Sequence, residues 1–138
     1  MSFKVAIVAG SNNDADYVKL TEEELGAAGI EYETHYLSAH RQPEETADFA
    51  KTAAERGFSV IIALAGYSAA LPGVIAGYTS LPVIGVPLDT SPLSGWDSLL
   101  SIVQMPGGVP VAAMSVGRAG ARNAARFCQR LKEICEKD

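Results

Sequence analysis

Cysteine is scarce in this chain, with two in 138 residues, Cys128 and Cys135. They lie seven apart in a segment patterned as a helix, about 10.5 Å of rise, which is too far for a disulfide. Both are therefore expected to be reduced core thiols, in keeping with a cytoplasmic protein. Basic charge is also in short supply: 11 Lys and Arg stand against 16 Asp and Glu, a net charge of -5. That balance argues against nucleic acid or a membrane surface as partner, since phosphate polymers demand a basic footprint. A small phosphorylated ligand needs only local donors and stays open. No long apolar run is present. Val60 to Ala65 and Ala69 to Ala76 fall well short of the roughly 20 residues of a bilayer span. The first ten residues hold one lysine and run straight into a strand-like segment, so no signal peptide is expected. Histidine occurs twice, His35 and His40, without the paired spacing of a metal site. Gly-x-Gly-x-x-Gly, Gly-Lys-Ser/Thr and Gly-x-Ser-x-Gly are all missing, which turns attention away from dinucleotides, nucleoside triphosphates and serine hydrolases.

What is present is an ordinary globular composition, 48% hydrophobic and 20% charged, at the length of a single domain spanning 1–138. Strand-length apolar runs recur at Val5 to Ala9, Glu31 to Leu37, Val60 to Leu64, Val83 to Val86 and Val111 to Val116. Short, β-branched and nearly continuous, they read as strands of a parallel sheet covered on both faces. Helical patterns lie between most of them. Asp14 to Ala28 sets Tyr17, Val18, Leu25 and Ala28 against Lys19, Glu22 and Glu23 and ends at Gly29, a C-terminal cap. Pro43 to Arg56 opens on proline with acidic residues behind it and repeats Ala47, Ala50, Ala53 and Ala54. Ala121, Ala124, Ala125, Cys128, Leu131 and Cys135 recur at three- and four-residue steps in the last segment. Alternating strands and helices specify a doubly wound α/β domain. The stretch from Gly66 to Gly77 is rich in small residues, which fits a tight subunit interface, a helix end pressed on a ligand, or a helix buried in its own domain.

In open parallel sheets, ligands bind beyond the carboxyl ends of the strands, so the residues after each strand carry the functional signal. After the first come Gly10, Ser11, Asn12, Asn13 and Asp14. Hydroxyl, amides and free backbone N–H groups at a helix start suit an anion. Asp14 either caps the helix or accepts from ribose hydroxyls, and a plain Asx-capped loop remains open. After the second come Ser38, Ala39, His40 and Arg41. Imidazole is the proton shuttle of neutral pH, and a guanidinium grips phosphate with a planar fork. An exposed loop histidine is the alternative for His40, while His35 reads as a strand or interface residue. Gly66, Tyr67, Ser68, Ala69, Ala70 and Leu71 come after the third strand, again offering backbone donors. Pro87 to Pro110 reads as a shaped connection rich in proline and glycine, and Trp96, its single tryptophan, is expected to be buried.

Four segments together resemble the PurE family of purine biosynthesis: Gly10-Ser11-Asn12-Asn13-Asp14, Ser38-Ala39-His40-Arg41-Gln42-Pro43, Ala69-Ala70-Leu71-Pro72-Gly73, and Asp97 to Pro106, which reads DSLLSIVQMP. The resemblance runs from Val5 to about Leu131. It implies a flavodoxin-like three-layer α/β sandwich with a five-stranded parallel sheet and a C-terminal helix, assembled as a homo-octamer with sites between subunits. It implies a phosphoribosyl-imidazole substrate and CO2, with no metal and no organic cofactor. It also implies a functional link to the ATP-dependent synthetase of N5-carboxyaminoimidazole ribonucleotide. One branch of the family is a mutase that moves the carboxylate of that compound from nitrogen to C4; the other carboxylates aminoimidazole ribonucleotide directly with CO2. Carried over by position, Ser11, Asn13 and Asp14, with Gly10, resemble the ribose and phosphate loop. Ser38 and Arg41, with Ala39, resemble the phosphate-side contacts, and His40 resembles the catalytic histidine. Gly66, Ser68 and Leu71 resemble the lining of the imidazole and CO2 pocket.

Two departures stand out. Asn13 occupies a position where the family usually has serine. The mutase pattern Gly-Gly-x-Ala-His-Leu-Pro-Gly here reads Gly66-Tyr67-Ser68-Ala69-Ala70-Leu71-Pro72-Gly73. Ser68 and Ala70 lean toward the carboxylase branch, whereas Leu71-Pro72-Gly73 and DSLLSIVQMP lean toward the mutase, which is the favoured reading. A non-catalytic or divergent nucleotide-binding relative and a flavodoxin-like redox carrier are the competing classes.

Overall fold

The computed structural model describes residues 2–137. In chain order the elements are β1 (Lys4–Ala9), α1 (Ala15–Ala27), β2 (Glu31–Tyr36), α2 (Pro43–Thr52), β3 (Val60–Ala65), α3 (Leu71–Tyr78), β4 (Val83–Pro87), α4 (Trp96–Val103), β5 (Ala112–Ala113) and α5 (Arg118–Cys135). All strand pairs are parallel, and the sheet order is β2-β1-β3-β4-β5. This is the flavodoxin-like order, in which the winding direction reverses at β1.

The period of two along each strand sorts the core into two layers. Val5, Ile7 and Ala9 of β1, with Val60, Ile62 and Leu64 of β3, pack under α1 and α5 beside Val18, Leu25, Ala121, Ala125 and Cys128. Ala6 and Val8, with Ile61 and Ala63, pack on the other face beside Phe49, Leu71, Ile75 and Ile102 from α2, α3 and α4. The reversal at the end of α1 is closed by Gly29 at φ +69°. Its N–H bonds Gly26 O at 3.1 Å, and the Ile30 N–H bonds Leu25 O at 3.0 Å, the paired bonds of a Schellman ending. Inside the first layer, the Thr21 hydroxyl donates to Ala121 O at 2.8 Å, tying α1 to the start of α5.

Several expectations are corrected. β2 is an edge strand with no buried position, so only its inner edge is covered. Its sequence, Glu31-Tyr32-Glu33-Thr34-His35-Tyr36, alternates charge and aromatics as a half-solvated strand does. His35 lies in this strand, as expected, with its ring 4.8 Å from that of Phe49. The segment that reads as a connection contains α4. There the mixed apolar pattern after Gly95 (φ +93°) winds into two turns, and Ile102 presses on Gly85 so closely that a Cβ there would lie 2.5 Å from Ile102 Cγ2. Trp96 is not buried: it is 68% exposed at the first position of that helix. β5 shrinks to Ala112–Ala113 because Pro110 lacks a ladder donor and the chain then turns through Gly117. α2 ends at Thr52 and passes through turns to Gly57 instead of continuing to Arg56. Both thiols are free, but only Cys128 is a core residue; Cys135, on the outer last turn of α5, is exposed. Burial pushes the Cys128 thiol up to about 12.

The tightest backbone approach in the fold is at Gly120, where a Cβ would fall 1.7 Å from the Ser115 carbonyl oxygen. Backbone cannot step aside cheaply, so Gly120→Ala is expected to lower stability by roughly 2–3 kcal/mol, read as a lower urea midpoint at unchanged slope. Gly26→Ala, in α1 with nothing within 4 Å of the new Cβ, is expected to gain about 0.4–1 kcal/mol in the same measurement.

Candidate functional site

A cleft of about 510 Å³ opens at the carboxyl edge of the sheet, beside the β1–β3 reversal. All eleven residues named from the sequence line it. They are Gly10, Ser11, Asn13 and Asp14 after β1; Ser38, Ala39, His40 and Arg41 after β2; and Gly66, Ser68 and Leu71 after β3. Parallel pairing delivers the three loops together: the ladder continues past the strand ends through Gly10 N–H to Leu64 O at 3.1 Å and Leu37 N–H to Ala9 O at 2.9 Å.

Each loop is held locally. Ser11 caps a single 3-10 turn, Asn12–Asp14, its Oγ accepting from the Asn13 N–H at 3.1 Å. Asp14 ends that turn, only 5% exposed. Its side chain makes no capping bond to α1, so the capping alternative is set aside, and the residue lines the cleft. Burial raises its pKa, against the lowering influence of the Ser11 backbone hydrogen bond. The Ala39-His40-Arg41 turn is clamped from both sides. Ser38 Oγ accepts from the Arg41 N–H at 3.1 Å, Ser38 O accepts from the Gln42 N–H at 2.8 Å, and the Ser38 N–H donates to Gln42 Oε1 at 3.2 Å. Beneath it the buried Thr46 hydroxyl donates to Gln42 O at 2.8 Å. With its backbone tied down, this turn displays His40 and Arg41, both exposed, along the cleft wall.

The third loop is shaped by one close contact. A Cβ on Gly66 would sit 2.2 Å from Thr90 Oγ1, so only glycine lets the loop after β3 lie against the loop after β4. Ala70 offers no side-chain cap to α3, and Pro72 in its first turn has no N–H to satisfy. The small-residue segment thus serves two ends: Leu71 and Ile75 are buried in the domain's own core, while the residues before them border the cleft.

Ala65, Tyr67, Ala69, Ala70 and Thr90 also line the cleft; Tyr67, Ala69 and Ala70 lie in the segment after the third strand, but none of the five is among the residues carried over as contacts. Thr90 is within reach of the carboxyl-end rule, since it lies in the loop directly after β4. Its neighbour Asp89 accepts a 2.6 Å hydrogen bond from the Tyr17 hydroxyl, which ties the loop after β4 to α1 and raises the Tyr17 pKa. Among the described residues, no three His, Cys, Asp or Glu side chains group as a metal site would require.

A parallel sheet in flavodoxin order, with polar loops converging at its reversal point, defines an α/β protein built to hold a small polar ligand at the strand ends. The family model described as AIR carboxylase matches residues 4–137, and the chain belongs to that family. It is 52% identical over 139 residues to the N5-carboxyaminoimidazole ribonucleotide mutase of Saccharolobus solfataricus, covering 97% of this chain and 87% of that one. The Bacillus subtilis protein of the same name is 48% identical over 134 residues, covering 97% and 83%. The crystal structure of PurE from Treponema denticola superposes with a TM-score of 0.83 at 28% identity, covering 95% of this chain and 80% of that one.

Asp14 generates a stability prediction. Its folded-state pKa lies above the ordinary 3.8 because of burial, so the native state holds the proton more tightly than the unfolded state does. Stability then falls as pH rises from about that value through the raised one, and the penalty persists above it. Asp14→Asn removes the charge. Its melting temperature is expected to exceed that of the wild type at pH 7, with the gap closing in buffers below about pH 4.

Proposed function

We propose that this chain forms 4-carboxy-5-aminoimidazole ribonucleotide by transferring the carboxylate of N5-carboxyaminoimidazole ribonucleotide from nitrogen to C4. The observation that carries the reading is the convergence of His40 and Arg41, the Ser11–Asp14 loop and the Gly66–Leu71 loop on one cleft. The names of relatives 52% and 48% identical to it support the same reaction.

The roles come from the chemistry each wall offers. Arg41 and Ser38, with Ala39 between them and the clamped turn, take the phosphate. Gly10, Ser11, Asn13 and the carboxylate of Asp14 hold the ribose end, Asp14 accepting from ribose hydroxyls. Backbone groups of Gly66 and Ser68, under the cover of Leu71, surround the heterocycle and the CO2. The N–C bond of the carbamate breaks, leaving CO2 beside the electron-rich C4 carbon, and C4 attacks it. The exocyclic nitrogen gains one proton and C4 loses one, so one group that donates and then accepts balances the reaction. His40 does both. Holding CO2 beside C4 turns recapture into a nearly intramolecular step, a gain of several kcal/mol, and excluding water keeps the gas from hydration.

A single copy leaves His40 exposed, so a closed chamber calls for a neighbour. Trp96, Leu100 and Val103 recur at helical spacing on α4, all exposed, with Leu93 just before them. Such an apolar stripe supports self-association, and the family resemblance is the ground for taking that assembly as a homo-octamer with sites shared between subunits. The family resemblance supports a functional link to the ATP-dependent synthetase of N5-carboxyaminoimidazole ribonucleotide. A functional link to other steps is in line with a Dictyostelium discoideum relative named bifunctional purine synthesis protein purC/E, 50% identical over 121 residues. One sheet with two helix layers supports a single domain over 1–138. The two free thiols support a cytoplasmic location, and among the described residues no helix is long and apolar enough to cross a membrane.

A second reading, direct carboxylation of aminoimidazole ribonucleotide by CO2, is favoured by Ser68 and Ala70, which line the cleft and resemble the carboxylase branch, Ala70 standing where the mutase pattern has histidine. An assay in two arms separates them. Turnover of the N-carboxylated compound is expected; turnover only with aminoimidazole ribonucleotide and CO2 would assign the chain to the second reading. His40→Asn is expected to cut kcat by about 10²–10⁴ while calorimetric affinity for the ribonucleotide stays within about threefold; an unimpaired variant rejects His40 as the shuttle. Trp96→Glu combined with Leu100→Glu is expected to yield a smaller particle by light scattering.

A further inference from the structure

We propose that Tyr67 is a specificity-determining residue of the cleft, its ring laid across the flat face of the bound heterocycle. The inference rests on the reaction assigned above and extends it to a position where this chain departs from its family's glycine.

The first observation is conformational. Tyr67 sits at φ +55°, in the left-handed region. There a residue with a Cβ carries about 1–2 kcal/mol of strain that glycine escapes. Elsewhere the chain places glycine in that region, at Gly29, Gly57, Gly95, Gly108 and Gly117, and Ser94 is the other exception among the described residues. The strain cannot drift along the loop. Gly66 is locked against Thr90 Oγ1, and Leu71, at the start of α3, is buried. A bulky aromatic has thus been kept where glycine would be easier.

The second observation excludes packing as the reason within the chain. Tyr67 is 59% exposed, so its ring adds little to the core. It lines the cleft, and apart from the imidazole of His40 it is the sole aromatic ring that does so among the described residues; the rest of the lining is hydroxyl, amide, charged, glycine or aliphatic, Leu71 being its largest aliphatic side chain. A planar heterocycle entering the cleft finds one broad aromatic face to lie against, beside the aliphatic cover of Leu71. Ring on ring contributes about 0.5–1.5 kcal/mol beyond area burial, which together with the apolar area covered is comparable to the backbone strain. The same cover, placed over the reacting carbon, obstructs escape of CO2.

Tyr67→Phe and Tyr67→Gly test this. The phenylalanine variant keeps the face and is expected to hold KM, and affinity for aminoimidazole ribonucleotide by calorimetry, within about twofold of wild type. The glycine variant is expected to weaken both about five- to tenfold and to release several times more free aminoimidazole ribonucleotide per product formed. Its melting temperature is expected to equal or exceed that of wild type, because the strain is gone, which a merely structural role would reverse. Wild-type affinity in Tyr67→Gly, or a smaller particle by light scattering, overturns the proposal, the latter by making Tyr67 a subunit contact. A wild type that binds the ribonucleotide without turning it over sinks the reaction assigned above while the affinity comparison still judges Tyr67. A wild type that does not bind it overturns both.

Discussion

Everything at the cleft depends on the parallel pairing of β1 with β3, in register from Val5 and Val60 to Ala9 and Leu64. Both strands are covered on both faces, and their side chains divide into two packed layers. Because neighbouring strands run the same way, their loops emerge at one edge. Because the winding reverses at β1, the helices after β1 and β3 leave on opposite faces and a crevice opens between them. The apolar burial that stabilises the sheet is therefore also what brings the loop polar groups together.

The site is built from rigid backbone carrying exposed side chains. Ser38 and Gln42 tie the His40 turn with three hydrogen bonds, so the ring's position is set by a loop that has little freedom to move. Gly66 and Thr90 fit together with no room for another atom. Asp14 remains a buried carboxyl whose ionisation costs stability, and Tyr67 remains strained. Groups held in costly states at strand ends are a common signature of function, since a fold selected for stability alone would have relieved them.

Legibility varies with the physics of each segment. β1 and β3 are readable because both of their faces are buried and the apolar runs are unbroken. β2 is legible as a strand but not as an exposed one: an edge strand differs from a central one only in what lies beside it. α4 hides inside an apparent connection because Pro92, Gly95, Pro106 and Gly107 crowd a short helix, and breakers at its ends resemble breakers throughout. Residue type alone points Trp96 to the core, whereas its place on the outer side of α4 is set by Ile102 and Ser98 facing inward. The site residues are legible because a single rule, which looks just past the end of each strand, needs only strand ends. Thr90 lies within reach of the same rule, but its contact with Gly66, a residue 24 positions earlier, leaves no local signal that singles it out.

By itself the sequence determined the alternation of strands and helices, the loops that hold the polar groups, and the family. These rest on local periodicity and short motifs that survive without coordinates. Tertiary structure alone decided that eleven residues from three loops share one cleft, that Asp14 is buried without capping, that Trp96 faces outward, and that Tyr67 lines the cleft with a left-handed backbone. Burial, strain and convergence are properties of pairs distant along the chain, and no local pattern encodes them.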